Sequence, residues 1–178
     1  MESVHTLEAL GITSVLNMVG PLVLRPETIR SFEENKILLF KRIDAEDEGG
    51  SPLMQDHWEE AFDFIKSNTA DGKGKCFVHC MAGLNRSGII VAAYDMLSTK
   101  TNGLESVRHV RRQRGNMALS NEGFQQQLVA VARKHEMLGP MPGSEGSIIK
   151  QEAPSPPQMT SVRPAKEKTA AVLDLLTI

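Results

Sequence analysis

Three short segments in the first eighty residues are rich in apolar and β-branched residues and are bounded by glycine, proline or charged residues. Such segments predict β-strands, which we place at 12–18, 37–43 and 76–78. The second segment opens into an acidic loop over 44–48, which two glycines follow. The third segment is the most apolar for its length, as expected of a buried strand.

Apolar residues elsewhere recur at intervals of three and four positions, which marks one face of a helix. Trp58, Phe62 and Ile65 carry this pattern over 55–68 and are expected in the core. Further helices are predicted over 6–10, from 26–28 onward, over 87–97, over 104–113 and from Ser120 onward, where either Ser120 or Asn121 suits the cap. This order of strands and helices predicts an α/β domain over residues 1–138.

The composition changes after Gly139. Six prolines lie among glycine, serine, lysine and glutamate between 139 and 178. Such a composition buries too little apolar surface to fold, so we expect a Pro-rich, disordered C-terminal tail over 139–178. Residues 170–178 have apolar positions at helical spacing, which suits either a docked helix or, as the simpler interpretation, a frayed end.

Overall composition narrows the classes of partner. The 178 residues are 40% hydrophobic and 24% charged, as in an ordinary globular protein, and carry a net charge of −2. That charge gives no general attraction to nucleic acid or to an anionic membrane, and the longest apolar run, 88–94, is too short to cross a bilayer. We therefore expect no nucleic-acid or membrane partner. A monomer is also expected.

The two cysteines, Cys76 and Cys80, lie four residues apart on one predicted strand. At about 3.3 Å per residue their Cα atoms are roughly 13 Å apart, whereas a disulfide tolerates about 7 Å. Free thiols without a signal peptide predict a cytoplasmic protein, with the nucleus as an alternative. Cys76 is either a resolving thiol for Cys80 or, as the simpler interpretation, a small buried strand residue.

The residues from Cys80 to Arg86 form a loop between a predicted strand and a predicted helix, where ligands commonly bind on α/β sheets. A short loop entering a helix turns its backbone N–H groups inward and makes a cradle for an oxyanion. The same positive field favours a thiolate at Cys80. The loop therefore predicts a nucleophilic cysteine beneath a bound phosphate, with the backbone at Met81, Ala82, Gly83, Leu84 and Asn85 lining the cradle.

Four neighbouring residues have expected supporting roles. The planar guanidinium of Arg86 can grip two phosphate oxygens, and Gly83 allows close approach of the backbone. The Ser87 hydroxyl is placed to stabilise the thiolate as it leaves. His79 is expected to hold the loop through hydrogen bonds. No metal or organic cofactor is required, since the loop supplies the positive field.

The pattern His-Cys-x5-Arg-Ser at 79–87 resembles the signature loop of the protein tyrosine phosphatase superfamily. Its dual-specificity branch resembles the chain further at 11–17, 58–65, 92–97 and 121–128, so that the similarity covers roughly residues 7–138. The resemblance implies a central mixed sheet flanked by helices. It also implies hydrolysis of phosphotyrosine, phosphoserine or phosphothreonine in a phosphoprotein substrate through a cysteinyl-phosphate intermediate.

The resemblance also implies a general acid, which the family takes from an aspartate in a loop after a strand, some thirty residues before the cysteine. Asp44 and Asp47 are the candidates, and the family pattern favours Asp47. Either residue could instead belong to a solvated acidic loop. The glycines at 49 and 50 would give this loop hinge freedom.

Two features depart from the family pattern. The family's domain usually opens with a strand or two before the helix that ends here at Leu10, so the first strands are expected to be missing. Four arginines near the end of the 104–113 helix could recognise a second phosphate or act as a nuclear signal, although a solvated helix face is the simpler interpretation: Arg108, Arg111, Arg112 and Arg114. Asn121 is expected either to contact the loop or to cap the last helix.

Three alternatives remain at this point. An RNA 5′-triphosphatase would use the same loop chemistry, although the uncharged loop side chains and the acidic facing loop disfavour it. A rhodanese-like phosphatase shares Cys-x5-Arg on another fold, which the helices after Arg86 disfavour. The third is a phosphoprotein-binding scaffold with vestigial catalysis, which intact Cys80 and Arg86 disfavour.

Overall fold

A computed structural model describes residues 4–20, 26–27, 30, 34, 39–70, 72 and 74–139. Its helices and strands, in chain order, are α1 Val4–Ala9, β1 Ser14–Asn17, β2 Leu39–Arg42, α2 Leu53–Thr69, β3 Cys76–His79, α3 Arg86–Thr99, α4 Gly103–Arg114 and α5 Glu122–Lys134. Each lies within about two residues of a segment predicted from the hydrophobic pattern. Residues 26 and 27 are helical as predicted, whereas the C-terminal tail lies outside the described residues.

The sheet has β1 in its middle, with β2 on one side and β3 on the other. Both pairings are parallel, and Val15 lies opposite Phe40 on β2 and Phe77 on β3. All four residues of β1 are buried, as expected for a parallel strand covered on both faces. The predicted α/β class with flanking helices is confirmed. Among the described residues both strand pairings are parallel, whereas the resemblance implied a mixed sheet. Helix α2 forms part of the long crossover connection that leads from β2 to β3, as parallel strands require.

Alternate residues of the strands supply two separate cores. Val15 and Phe77 pack with the apolar residues of α1, whereas Leu16 and Val78 point to the opposite face. That second face carries the larger cluster, which α2, α3 and α5 complete. The period of two in a strand therefore divides the molecule into a thin layer with α1 and a thick layer with the later helices.

Helix α3 lies at the centre of the thick layer and leads directly out of the signature loop. Every residue from Arg86 to Met96 is buried. A helix that is buried all round needs small and apolar residues on every side, which explains its Ile, Val and Ala content. Gly88 packs closely on Leu119, since a Cβ atom there would lie 3.3 Å from Leu119 Cγ and would displace that side chain slightly. The first turn of α3 is therefore held rigidly at the end of β3.

Candidate active site

The loop from Cys80 to Asn85 joins the end of β3 to the start of α3. The end of β3 is fixed by a hydrogen bond from the Met18 N–H to the His79 carbonyl, 2.8 Å long. Gly83 has a φ of 64°, in the left-handed region that a residue with a side chain rarely adopts. The backbone thus turns sharply at Gly83 before it enters the helix at Arg86.

Cys80 is 4% exposed and stands at the start of this loop. The Ser87 hydroxyl donates a hydrogen bond to Cys80 Sγ at 3.3 Å. Burial by itself raises the pKa of Cys80, but hydrogen bonds from the Ser87 hydroxyl and backbone N–H act against it. The Arg86 charge and the Gly83 N–H lower the pKa further, so that it lies below the ordinary value for a thiol. The thiolate is accordingly favoured.

The guanidinium of Arg86 links the signature loop to the loop that follows β2. Its Nη1 donates to the carbonyl oxygen of Ala45 at 3.0 Å, and its Nη2 lies 3.5 Å from Asp47 Oδ2. Its Nε is buried and has no hydrogen-bond partner among the described residues. A buried donor without a partner is costly unless a ligand satisfies it, so this N–H is available to an oxyanion in the cradle.

The two candidate acids occupy different surroundings. Asp47 extends to Arg86 and is 36% exposed at its side chain, so its carboxyl group is at once near the loop and open to solvent. Asp44 instead packs against Gly20, where a Cβ atom would collide with Asp44 Oδ1. Only Asp47 of this pair contacts a residue of the signature loop in the described contacts.

His79 is buried beneath the loop, where its ring stacks on Phe77 with centroids 5.1 Å apart. Burial lowers the pKa of His79 to about 4, although a hydrogen bond to the Cys80 backbone acts in the opposite direction. The imidazole is therefore neutral at neutral pH. This neutral, packed ring suits the predicted supporting role better than a role in proton transfer.

The five residues predicted to line the cradle differ in exposure. Met81 and Ala82 are exposed on the rim, with Met81 at 64%, whereas Gly83 is buried. The other two face the connection between α4 and α5: the Leu84 carbonyl accepts from the Leu119 N–H at 3.0 Å, and Asn85 Oδ1 accepts from the Asn121 N–H at 3.1 Å. The loop is thus supported from behind by a segment some 35 residues later in the chain.

Asn121 carries out both of the roles between which the sequence could not decide. Its backbone N–H contacts Asn85, and its side-chain oxygen accepts from the Phe124 N–H at 3.3 Å as the N-cap of α5. Ser120 is not the cap; its hydroxyl lies 3.3 Å from Asn85 Oδ1.

Sequence reasoning named Arg111 without its structural role at the α4–α5 connection, and it did not single out Gln127 at the start of α2. Arg111 Nε and Nη2 donate to the carbonyls of Ala118 and Leu119, at 3.0 and 3.1 Å, so this arginine is structural rather than a solvated face or a phosphate ligand. Gln127 hydrogen-bonds to the backbone where α2 begins. Neither contact has a local signature, because each joins side chains to main-chain atoms of distant or irregular segments.

A metal site and a membrane-spanning helix can each be looked for among the described residues. Among them, no three side chains of His, Cys, Asp or Glu are grouped as a metal site would require. Within the same part of the chain, no helix has both the length and the apolar character needed to cross a membrane.

The arrangement joins an activated thiol, an arginine with a free donor and a solvent-accessible carboxyl group, brought together from the signature loop and the acidic loop after β2. Residues 1–134 match the family model described as dual specificity phosphatase, catalytic domain. The chain belongs to the dual specificity phosphatase family. The resemblance found at the signature loop is thereby confirmed, over nearly the same residues.

Two curated relatives are similar to this chain over most of its length. It is 34% identical over 130 residues to Dual specificity protein phosphatase 26 of Homo sapiens, which covers 72% of this chain and 58% of that protein. It is 35% identical over 134 residues to Dual specificity protein phosphatase PHS1 of Arabidopsis thaliana, which covers 74% of this chain and 14% of that protein. The chain therefore spans less than two thirds of the length of either relative.

Solved structures agree with this family fold. A crystal structure of DUSP15 is similar with a TM-score of 0.59 and 26% identity, over 76% of this chain and 84% of that one. A crystal structure of a mouse putative dual specificity phosphatase complexed with zinc tungstate is similar with a TM-score of 0.64, over 76% of this chain and 78% of that one. At 22% identity, the second likeness speaks for the fold alone.

Proposed function

We propose that this chain is a cysteine-dependent protein phosphatase that hydrolyses phosphotyrosine, phosphoserine or phosphothreonine in protein substrates. The observation that carries the proposal is the meeting of Cys80, Arg86 and Asp47 at one loop, with Ser87 hydrogen-bonded to the Cys80 sulfur. Membership of the dual specificity phosphatase family supports the same reaction. The proposed hydrolysis requires no metal or organic cofactor.

In the first step the Cys80 thiolate attacks phosphorus, so that a sulfur–phosphorus bond forms while the phosphorus–oxygen bond to the substrate breaks. The phosphate would replace Asp47 on the Arg86 guanidinium and take up its free Nε. Asp47 then lies beside the leaving oxygen and gives it a proton. Loop N–H groups and Arg86 bind the equatorial oxygens as their charge is redistributed.

In the second step water attacks the cysteinyl phosphate, and Asp47, now a carboxylate, accepts a proton from that water. The sulfur–phosphorus bond breaks and the thiolate is restored. The Ser87 hydroxyl, 3.3 Å from Cys80 Sγ, donates to the departing sulfur. Inorganic phosphate then leaves, and the enzyme returns to its first state, with Asp47 protonated by the proton that it took from the attacking water.

The substrate class is protein rather than nucleic acid for a reason of charge. The side chains of the cradle other than Arg86 are uncharged, and the facing loop over 44–48 is acidic. A polyphosphate end would need additional cations there. Because both cysteines are free and buried thiols, we propose a reducing compartment, the cytoplasm or the nucleus. The expectation of a monomer stays a prediction.

The test is the pH dependence of hydrolysis of a small aryl phosphate by wild type, Cys80→Ser, Asp47→Asn and Asp44→Asn. We expect no turnover with Cys80→Ser. Asp47→Asn should lose the alkaline limb of the profile and about 100-fold in rate, since a general acid contributes at least that much. Asp44→Asn, a matched change three residues earlier, should stay within about twofold of wild type.

Other outcomes distinguish the alternatives. Impairment of Asp44→Asn in place of Asp47→Asn would move the acid to Asp44. Full activity in both, with release of the terminal phosphate from triphosphate-ended RNA, would favour the triphosphatase. An inactive wild type that still binds a phosphopeptide would make the chain a scaffold.

A further inference from the structure

Helix α2, which follows the acidic loop, begins without a cap of its own. Pro52 occupies its N-cap position and offers no side-chain hydrogen bond. The first backbone N–H groups of a helix need an acceptor from elsewhere. Gln127 Oε1 accepts from the Met54 N–H at 3.0 Å, and Gln127 Nε2 donates to the Ser51 carbonyl at 2.8 Å. Both partners fix the orientation of the amide, since one is a donor and the other an acceptor.

A second contact between α5 and this segment lies about one turn earlier on the helix. Gly123 packs so closely on Gly49 that a Cβ atom at Gly123 would collide with the Gly49 carbonyl oxygen and carbon. Gly49 in turn faces Asn121, whose Oδ1 would lie 3.1 Å from a Cβ atom there. The hinge freedom that was predicted for the acidic loop is therefore reduced at Gly49. Of the two glycines, Gly50 is the one with open space around it.

The same end of α5 also holds the signature loop. The Asn121 N–H donates to Asn85 Oδ1, and Phe124, fully buried, anchors the first turn of the helix in the core. Consequently α5 contacts Asn85 just before Arg86 and also contacts Gly49 just after Asp47. One rigid element thus sets the distance between the loop that carries the nucleophile and the loop that carries the proposed acid.

The acidic loop is anchored at its other end by the sheet. The Ile43 N–H donates to the Asn17 carbonyl at 2.8 Å, and the Ala45 carbonyl accepts from Arg86. Asp47 lies between these contacts and Ser51. Among the described ion pairs and hydrogen bonds, its carboxyl group contacts Arg86 alone. The position of the Asp47 carboxyl group therefore depends on where the far end of the loop is held. The packing of Gly123 on Gly49 and the two hydrogen bonds of Gln127 hold that end together.

We infer that Gln127 is a positioning residue for the acid step: it fixes the end of the acidic loop so that Asp47 reaches the leaving oxygen. This rests on the proposed function, in which Asp47 is the general acid. Gln127 contacts neither Cys80 nor Arg86 in the described hydrogen bonds, so its loss should leave the thiolate unchanged. The effect should depend on how much the leaving group needs a proton.

The experiment compares kcat/KM for a series of aryl phosphates whose leaving phenols range from weakly to strongly acidic. The enzymes are wild type, Asp47→Asn, Gln127→Met and Gln127→Glu. Methionine has nearly the volume of glutamine but neither hydrogen bond, whereas glutamate retains the acceptor for Met54 and loses the donor to Ser51. Alkylation of Cys80 by iodoacetamide across pH, and thermal unfolding, are measured for each.

With Gln127→Met we expect about a tenfold loss of kcat/KM for phenyl phosphate, because a misplaced acid forfeits part of its contribution. For the most acidic phenol the rate should stay within about twofold of wild type, since that leaving group needs no proton. The alkylation profile of Cys80 should not move. The kcat/KM of Gln127→Glu for phenyl phosphate should lie between those of wild type and Gln127→Met. Gln127→Glu takes the place of Gln127→Met in the test if the methionine variant does not fold.

Gln126→Met is the matched control, because Gln126 is the exposed neighbour on the same helix and makes no side-chain hydrogen bond among the described residues. It should behave as wild type. A uniform loss across all leaving groups, a shifted alkylation profile or no loss at all in the Gln127 variants would overturn the inference.

The Asp47→Asn series separates this inference from the proposed function. If Asp47→Asn depends steeply on the leaving group and the Gln127 variants do not, the function stands and the inference fails. If Asp47→Asn shows no such dependence, Asp47 is not the acid, and the inference fails with it, whatever the Gln127 variants do.

Discussion

Two cysteines four residues apart show how strongly the surroundings of a residue decide its chemistry. Cys76 is buried at the start of β3, where burial raises the pKa of its thiol to about 11. Cys80, just past the end of the same strand, meets the Ser87 hydroxyl, the Arg86 charge and loop N–H groups, which together lower its pKa despite burial. At neutral pH Cys76 is therefore a packed, protonated thiol, whereas Cys80 is available as a nucleophile.

Ser87→Ala tests this account at the level of one hydroxyl. Without the hydrogen bond to sulfur, the pKa of Cys80 should rise, so the midpoint of iodoacetamide alkylation should move to higher pH. The kcat for an aryl phosphate should fall about tenfold or more, because a hydrogen bond to a charged group contributes about 1.5–3 kcal/mol.

Ser98→Ala is the control for Ser87→Ala, since it removes a hydroxyl from the same helix that bonds only to carbonyl oxygens of α3. It should leave the alkylation midpoint in place. An unshifted midpoint in Ser87→Ala would contradict the assigned role of the hydroxyl.

At the scale of elements, a buried polar contact joins α3 to α4. Asp95 is 4% exposed, and its Oδ2 lies 2.8 Å from Ser106 Oγ and 3.3 Å from His109 Nδ1. The Ser106 hydroxyl also lies 2.6 Å from the Ala92 carbonyl. These contacts give the two helices a fixed register, because a buried carboxylate is stable only where its donors are in place.

Asp95→Ala should lower the free energy of unfolding by about 2–4 kcal/mol, through lost hydrogen bonds, a small cavity and a Ser106 hydroxyl with fewer partners. Urea unfolding measures this. Asp95 lies nine residues along α3 from Arg86, about 13 Å at 1.5 Å per residue, so kcat/KM of the folded variant should stay within about twofold. A loss of stability below about 1 kcal/mol would show that the contact contributes little to the packing of α3 and α4.

For the whole molecule, the buried polar residues at the carboxyl edge of the sheet connect function with stability. His79 and Ser87 lie there among apolar core residues, and Arg86 is 8% exposed. They are kept in place by the packing of α3 and by the loops around it. The cost of burying them is greatest when one of them must change its charge.

His79 makes the stability of the whole chain depend on pH. In the unfolded chain its imidazole takes up a proton near pH 6.5, whereas in the folded chain its lowered pKa of about 4 keeps it neutral. The unfolded state therefore binds more protons between these values, and stability falls as the pH drops from 6.5 towards 4. The His79 contribution to this loss should reach about 3 kcal/mol.

His79→Asn isolates that contribution, because asparagine retains a hydrogen-bonding side chain but does not titrate. Urea unfolding at several pH values should show a smaller loss for the variant than for wild type between pH 6.5 and 4. Parallel losses in the two proteins would mean that carboxyl groups alone cause the acid sensitivity.

The amino-acid sequence by itself determined the order of elements and the position of the signature loop. Both depend on short-range patterns: apolar periods of two or of three to four, a glycine where φ is positive, and an arginine six residues after a cysteine. Tertiary structure alone decided which aspartate lies near Arg86, that Asn121 serves two partners, that Arg111 is structural, and that Gln127 caps α2 from 73 residues away. Such contacts join segments distant in sequence, and their geometry exists only once the helices have packed around β3.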